Sequence, residues 1–129
     1  MRQSYQGKSV CVVDNGLFVE VACTLAEHFG AVFYYSPWQN AFPKSNSLLI
    51  GKGLPGVTRI DDLWGILNDV DLWVFPDVYH AGLQVQLEAM GKRVWGSRYG
   101  EELELDRLHS KRHLEDRGLA IGEYEVVKG

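Results

Sequence analysis

The chain has 129 residues, 46% of them apolar and 23% charged, and its formal net charge is −4; that size and balance fit one soluble globular domain with a single core. With no basic excess to neutralise a run of phosphates, nucleic acid is excluded as an expected partner. No apolar run approaches the roughly 20 residues of a membrane span, and the polar start MRQSYQGKS lacks an apolar signal core, so a cytoplasmic protein with no membrane partner is expected.

Residues 9–13 (SVCVV) are a short β-branched apolar run, which predicts a strand buried on both faces with Cys11 acting as a small hydrophobe. Asp14-Asn15-Gly16 is a turn signal, the glycine supplying the backbone freedom a tight turn needs. Leu17, Val21, Leu25 and Phe29 then recur every four residues and predict a helix over 17–29 closed by Gly30. A second strand is expected over 31–35, and strand, turn, helix and strand make a βαβ unit with parallel strands. Residues 36–55 read as loop, with a brief strand or ordered piece at 48–50. The run 57–60 is a further extended piece, and Asp61 or Asp62 caps a short helix through Leu67.

A strand over 71–75 ends at Pro76. The helix over 79–90 carries Leu83, Leu87 and Met90 on one face and stops at Gly91, before a fifth strand at 93–95. Two helical pieces follow, 99–105 and 106–117, the second ended by Gly118. Strands alternating with helices predict an α/β fold of three layers, α/β/α, around a Rossmann-like doubly wound parallel sheet of about five strands.

Two turns fall where open α/β sheets bind ligands, at the carboxyl ends of strands. The first, Asp14-Asn15-Gly16, has one glycine where a dinucleotide fingerprint has three, and Asp14 would repel a pyrophosphate. A substrate contact and a plain helix cap by Asp14 or Asn15 both fit it. The second is Pro76-Asp77-Val78-Tyr79-His80. Here Asp77 would either cap the next helix or pair with an amine, and His80 would add a donor.

Other features have plainer readings. GKGLPG, residues 51–56, lacks the Gly-Lys-Ser/Thr of a P-loop and reads as a surface loop. His109 and His113 stand at i and i+4 without an intervening glutamate or a third ligand, so a solvated helix face is expected and no metal site is assigned. An i,i+4 pair of Lys111 with Glu115 is expected on the same helix. Tyr34, Tyr35, Trp38 and Phe42 would cover the sheet edge, meet a partner, or stack on a base. Cys11 and Cys23 are expected to remain thiols.

Residues 71–124 also carry a family resemblance. DLWVFPD, a helical run, KRVWGS and LELDRLHSKRHLEDRGLAI follow one another as in the hand-off from the first domain of an ATP-grasp ligase to its nucleotide-binding region. The chain resembles phosphoribosylamine–glycine ligase (glycinamide ribonucleotide synthetase), the ATP-grasp enzyme of purine biosynthesis. That family has a strand ending in Gly-Pro-Glu where this chain has Phe75-Pro76-Asp77, and a Leu-Glu-Gly-Ser-Lys motif where it has Leu103-Glu104-Leu105-Asp106-Arg107.

The resemblance implies a pre-ATP-grasp fold over residues 1–105, with 106–129 a helix and linker leading toward an ATP-grasp region. It implies an N-terminal, substrate-side domain of an ATP-dependent carbon–nitrogen ligase, not catalytically complete by itself and with no catalytic residue of its own. Asp14, Asn15, Gly16, Pro76, Asp77 and His80 would face a small-molecule substrate, and Lys111 would meet ATP phosphates. ATP and Mg²⁺ would serve the complete enzyme, neither binding tightly to this chain alone, and the partners would be the missing ATP-grasp lobes or a second copy. Without the resemblance, the same residues fit a free-standing Rossmann-like binding or interaction module that performs no catalysis.

Overall fold

The computed structural model describes residues 4–37 and 50–127. Strand β1 (Tyr5–Val13) lies at the centre of the sheet. On one side it pairs with β2 (Phe29–Tyr35), which pairs with β3 (Val57–Ile60); on the other it pairs with β4 (Leu72–Val74), followed by β5 (Val94–Trp95). The order is β3-β2-β1-β4-β5 and every pairing is parallel, which bears out the expected fold class. Val10, Cys11, Val12 and Val13 are fully buried, as a central strand covered on both faces requires.

The side chains of β1 alternate between two cores. Cys11 and Val13 join Leu63, Val70, Trp73, Phe75 and Leu87 on the face covered by helix α2 (Ala81–Ala89). Val10 and Val12 join Ala22, Val32, Tyr34 and Val74 on the face covered by helix α1 (Val19–Ala26). Two cores on opposite faces of one sheet make the three layers. The link from β3 to β4 holds no full helix. It uses a 3-10 turn, Trp64–Ile66, whose start is held by Asp62 Oδ1 accepting the Trp64 N–H at 2.9 Å.

Several boundaries differ from the periodicity reading. Helix α1 is shorter than 17–29, and Phe29 belongs to β2, where its ring stacks on Tyr5 at 5.3 Å. Gly30 does not close the helix. It sits inside β2, where a Cβ would lie 1.9 Å from the Gln6 carbonyl oxygen, so close backbone approach selects glycine. Strand β1 begins at Tyr5, ahead of the expected start at residue 9, and its first four residues are exposed and carry no apolar pattern. The pieces expected at 48–49, and Trp38 and Phe42 of the aromatic group, lie outside the described residues.

The chain beyond β5 is helical in steps: a 3-10 turn (Arg98–Glu101), α3 (Glu102–Leu105) and α4 (Arg107–Glu115). Asp106 is extended between α3 and α4, and its Oδ1 accepts the His109 N–H at 2.8 Å. Among the described residues α4 touches α3 and no other helix or strand, and none of its residues is buried.

The opposite end of the sheet is fastened by Asp71. Its carboxylate takes the Lys8 ammonium at 2.8 Å and the Ser9 N–H at 2.9 Å, tying the start of β4 to β1. The Lys8 bond, then the Ser9 N–H, hold the Asp71 carboxyl down from 3.8 to about 2. A carboxyl with a depressed folded pKa binds fewer protons in the native state, so its contribution is full above its ordinary value and fades as pH falls. The stability advantage of the natural chain over Asp71→Ala is therefore expected to be constant down to about pH 4 and to close toward pH 2. Urea unfolding across that range checks this; an advantage that grows on acidification would contradict it.

Candidate ligand-binding site

β2 and β3 extend the sheet to one side of β1, and β4 and β5 to the other. The strand order therefore reverses between β1 and β4, which opens a crevice at their carboxyl ends. The turns after these two strands are Asp14-Asn15-Gly16 and Pro76-Asp77, so the fold brings together two segments more than 60 residues apart in the chain.

Asp14 is completely buried beneath this crevice. Its Oδ2 accepts the Phe18 N–H at 2.9 Å and the Tyr34 hydroxyl at 2.7 Å, fixing the start of α1 to β2. Burial, then the bond to Asp14, push the Tyr34 phenol far up, so it stays a donor. Tyr34 is thus a core residue and not a stacking platform. Gly16 takes φ of 96°, and a Cβ there would come within 2.6 Å of Ile50 Cδ1.

Asn15 crosses the crevice. Its Nδ2 reaches the Val78 carbonyl at 3.5 Å, and its Oδ1 lies 3.2 Å from His80 Nε2. That arrangement makes His80 the donor through Nε2 and leaves Nδ1 as the acceptor. The donor expected of His80 is therefore spent on Asn15, joining the two turns. Burial lowers the His80 pKa, partly offset by Glu101, Asp77 and Asp14, so the ring is neutral at neutral pH.

Asp77 does not cap α2. Its Oδ1 accepts the adjacent Val78 N–H at 2.8 Å, and its buried Oδ2 has no partner among the described residues. The cap comes from Glu101, which is 7% exposed and accepts the His80 and Ala81 N–H groups, each at 3.1 Å. A carboxylate there satisfies orphan donors and the positive end of the helix together. No local signal marked Glu101, because it lies 20 residues from the helix it caps.

Two cavities open at this edge. One of about 430 Å³ is lined by Asn15, Leu17, Asp77 and Tyr79. The other, of about 710 Å³, lies at the ends of β4 and β5, and Phe18, Pro76, Asp77, Trp95, Arg98 and Glu104 are among the residues that line it. Tyr79 and Arg98, one at each cavity, hold φ of 82° and 52°, the left-handed region that side chains rarely occupy.

Lys111 lies in a different groove, of about 270 Å³, which it lines with Arg107, Leu108 and Tyr124. Its ammonium sits 4.8 Å from the Tyr124 ring centre, and the Tyr124 hydroxyl donates to Glu115 at 3.3 Å. The expected Lys111–Glu115 pair is replaced by this shared contact with Tyr124. The His109 and His113 rings stand 6.0 Å apart, and no group of three or more metal-ligating side chains occurs among the described residues. Both cysteines are free, and no helix of the described residues is long and apolar enough to cross a membrane.

No family model and no curated protein matches the chain. Among solved structures, the fold is shared with N5-carboxyaminoimidazole ribonucleotide synthetase from Thermotoga maritima, at a TM-score of 0.62 and 18% identity, over 95% of this chain and 34% of that one. This chain thus spans about a third of that protein's length. The fold expected from the resemblance is the fold found.

Removing the Glu101 carboxylate tests the geometry directly. Glu101→Ala leaves the His80 and Ala81 N–H groups without partners and is expected to cost about 1–2 kcal/mol. Thermal or urea unfolding measures this; a change within about 0.3 kcal/mol, the noise of a neutral surface substitution, would contradict the cap.

Proposed function

We propose that this chain is the N-terminal, substrate-side domain of an ATP-dependent carbon–nitrogen ligase similar to phosphoribosylamine–glycine ligase. The observation that carries this reading is the meeting of the β1 and β4 turns at the switch point of a fold shared with a synthetase three times as long. In such a ligase an acyl phosphate made from ATP is attacked by an amine. Asn15, Pro76, Asp77 and His80 would shape the substrate side, with Asp14 and Gly16 setting the first turn from beneath.

ATP would be met at Lys111. The groove there holds two cations one helical turn apart, Arg107 and Lys111, which suits phosphate oxygens. Tyr124 covers the Lys111 ammonium, so phosphates would have to displace a ring to reach it. Mg²⁺ would be held by residues other than those described. When bound, ATP supplies the phosphoryl group that activates a carboxylate.

The remaining support is apolar surface toward the C-terminal side. Leu103, Leu105, Leu119 and Val126 are each more than 40% exposed, which fits packing against ATP-grasp lobes or a second copy. Free thiols at Cys11 and Cys23 fit a reducing, cytoplasmic setting.

Calorimetry with Mg²⁺–ATP tests the division of labour. The chain alone is expected to bind no tighter than about 1 mM, and Lys111→Ala to weaken residual binding by about two- to five-fold, the worth of one exposed ion pair. Micromolar binding to this chain, or residual binding indifferent to Lys111, would contradict the reading.

A further inference from the structure

The cavities at the switch point have a lining that a phosphorylated sugar would not select. Asp77 lines both, and Glu104 adds a second carboxylate to the larger. Arg98 is the one cation among their described lining residues, and it is already engaged. Its Nε lies 2.7 Å from Glu88 Oε2, its Nη2 bonds the other Glu88 oxygen, and its Nη1 donates to the Gly96 carbonyl at 3.0 Å. A dianionic phosphate entering here would meet carboxylates without a free guanidinium or ammonium.

The neighbourhood is also poor in positive charge beneath the lining. Asp14 and Glu101 lie buried next to His80, which is neutral. The same lining carries rings: Phe18 is 39% exposed and Trp95 is 61% exposed, and both line the larger cavity with Pro76 and Val78. Tyr79, 65% exposed, stands at the smaller cavity with Leu17. Exposed aromatic rings beside carboxylates attract a cation and cover a flat apolar body. Asp77 itself takes one hydrogen bond among the described residues, from the Val78 N–H, so its carboxylate at the two cavities has no cation beside it.

We infer that the switch-point cleft takes a small molecule combining an ammonium group with a planar ring, the ammonium read by the Asp77 carboxylate and the ring lodged against the exposed Phe18 and Trp95, and that it does not take a phosphorylated sugar. This rests on the substrate-side reading of the cleft and deepens it by naming the chemical class.

The test uses the intact chain, followed by amide ¹H–¹⁵N shifts, with three probes. Tyramine carries both features, p-cresol only the ring, and ribose 5-phosphate the excluded chemistry. Tyramine is expected to move the Asn15, Asp77 and Gly96 amides saturably, p-cresol to bind about ten-fold more weakly, and ribose 5-phosphate to leave them unmoved. Asp77→Asn is expected to erase the preference for tyramine over p-cresol, and Trp95→Ala to weaken both, with the β1 amides reporting that each variant is folded.

Shifts at the same amides with ribose 5-phosphate, and none with tyramine, would overturn the class while leaving the cleft as a substrate site. No response there to any probe would overturn both. Equal binding of tyramine and p-cresol to the natural chain, or a preference that survives Asp77→Asn, would overturn the role of the carboxylate.

Discussion

Burial of β1 on both faces is the constraint from which the rest of the structure follows. Four consecutive residues, Val10, Cys11, Val12 and Val13, are wholly shielded from water, which is possible only with a strand on each side and a layer above and below. Nothing polar can be placed along such a strand without a buried partner. Polar chemistry is therefore displaced to its ends: Ser9 and Asp71 at the amino edge, Asp14 and Asn15 at the carboxyl edge. The same constraint puts β4 beside β1, and with it Asp77 and His80 beside Asn15.

The carboxyl edge is built to hold its shape without a ligand. Asp14 ties α1 to β2 from below, Glu101 ties α2 to the chain after β5, and His80 with Asn15 spans the gap between the two turns. Each bond joins segments distant in sequence, so the cleft walls are fixed by the fold rather than by local turns. Left-handed backbone at Tyr79 lies between the Val78 and His80 contacts to Asn15, and that at Arg98 is held by the Arg98 N–H donating to Gln84 Oε1 at 2.9 Å. Polar groups already satisfied by the protein are unavailable to a ligand, and the balance left over is acidic and aromatic.

Much of this layout was legible in the sequence, and the failures have specific causes. The run SVCVV identified the central strand because a strand buried twice has no alternation to hide it. The turns at Asp14-Asn15-Gly16 and Pro76-Asp77 were visible because glycine and proline punctuate them, and the βα order placed both at carboxyl ends. Gly30 was misread because a glycine after an apolar stripe looks like a helix stop, whereas its role is to let β2 approach Gln6. The start of β1 was missed because residues 5–8 are exposed and carry no apolar pattern. Glu101 carried no signal at all, and the pairing of Lys111 with Glu115 was lost to Tyr124, a residue outside the helix.

The likeness to the solved synthetase is one of fold, while the lining of the cleft is this chain's own. Whether the β1 and β4 turns act as one site is most directly tested by a double-mutant cycle on Asn15→Ala and His80→Ala, read by equilibrium unfolding. One site closed by a hydrogen bond across the switch point gives a coupling energy of about 0.5–1.5 kcal/mol. Strictly additive effects of the two substitutions would mean that the turns are neighbours without a shared structure, and would contradict the preorganised cleft.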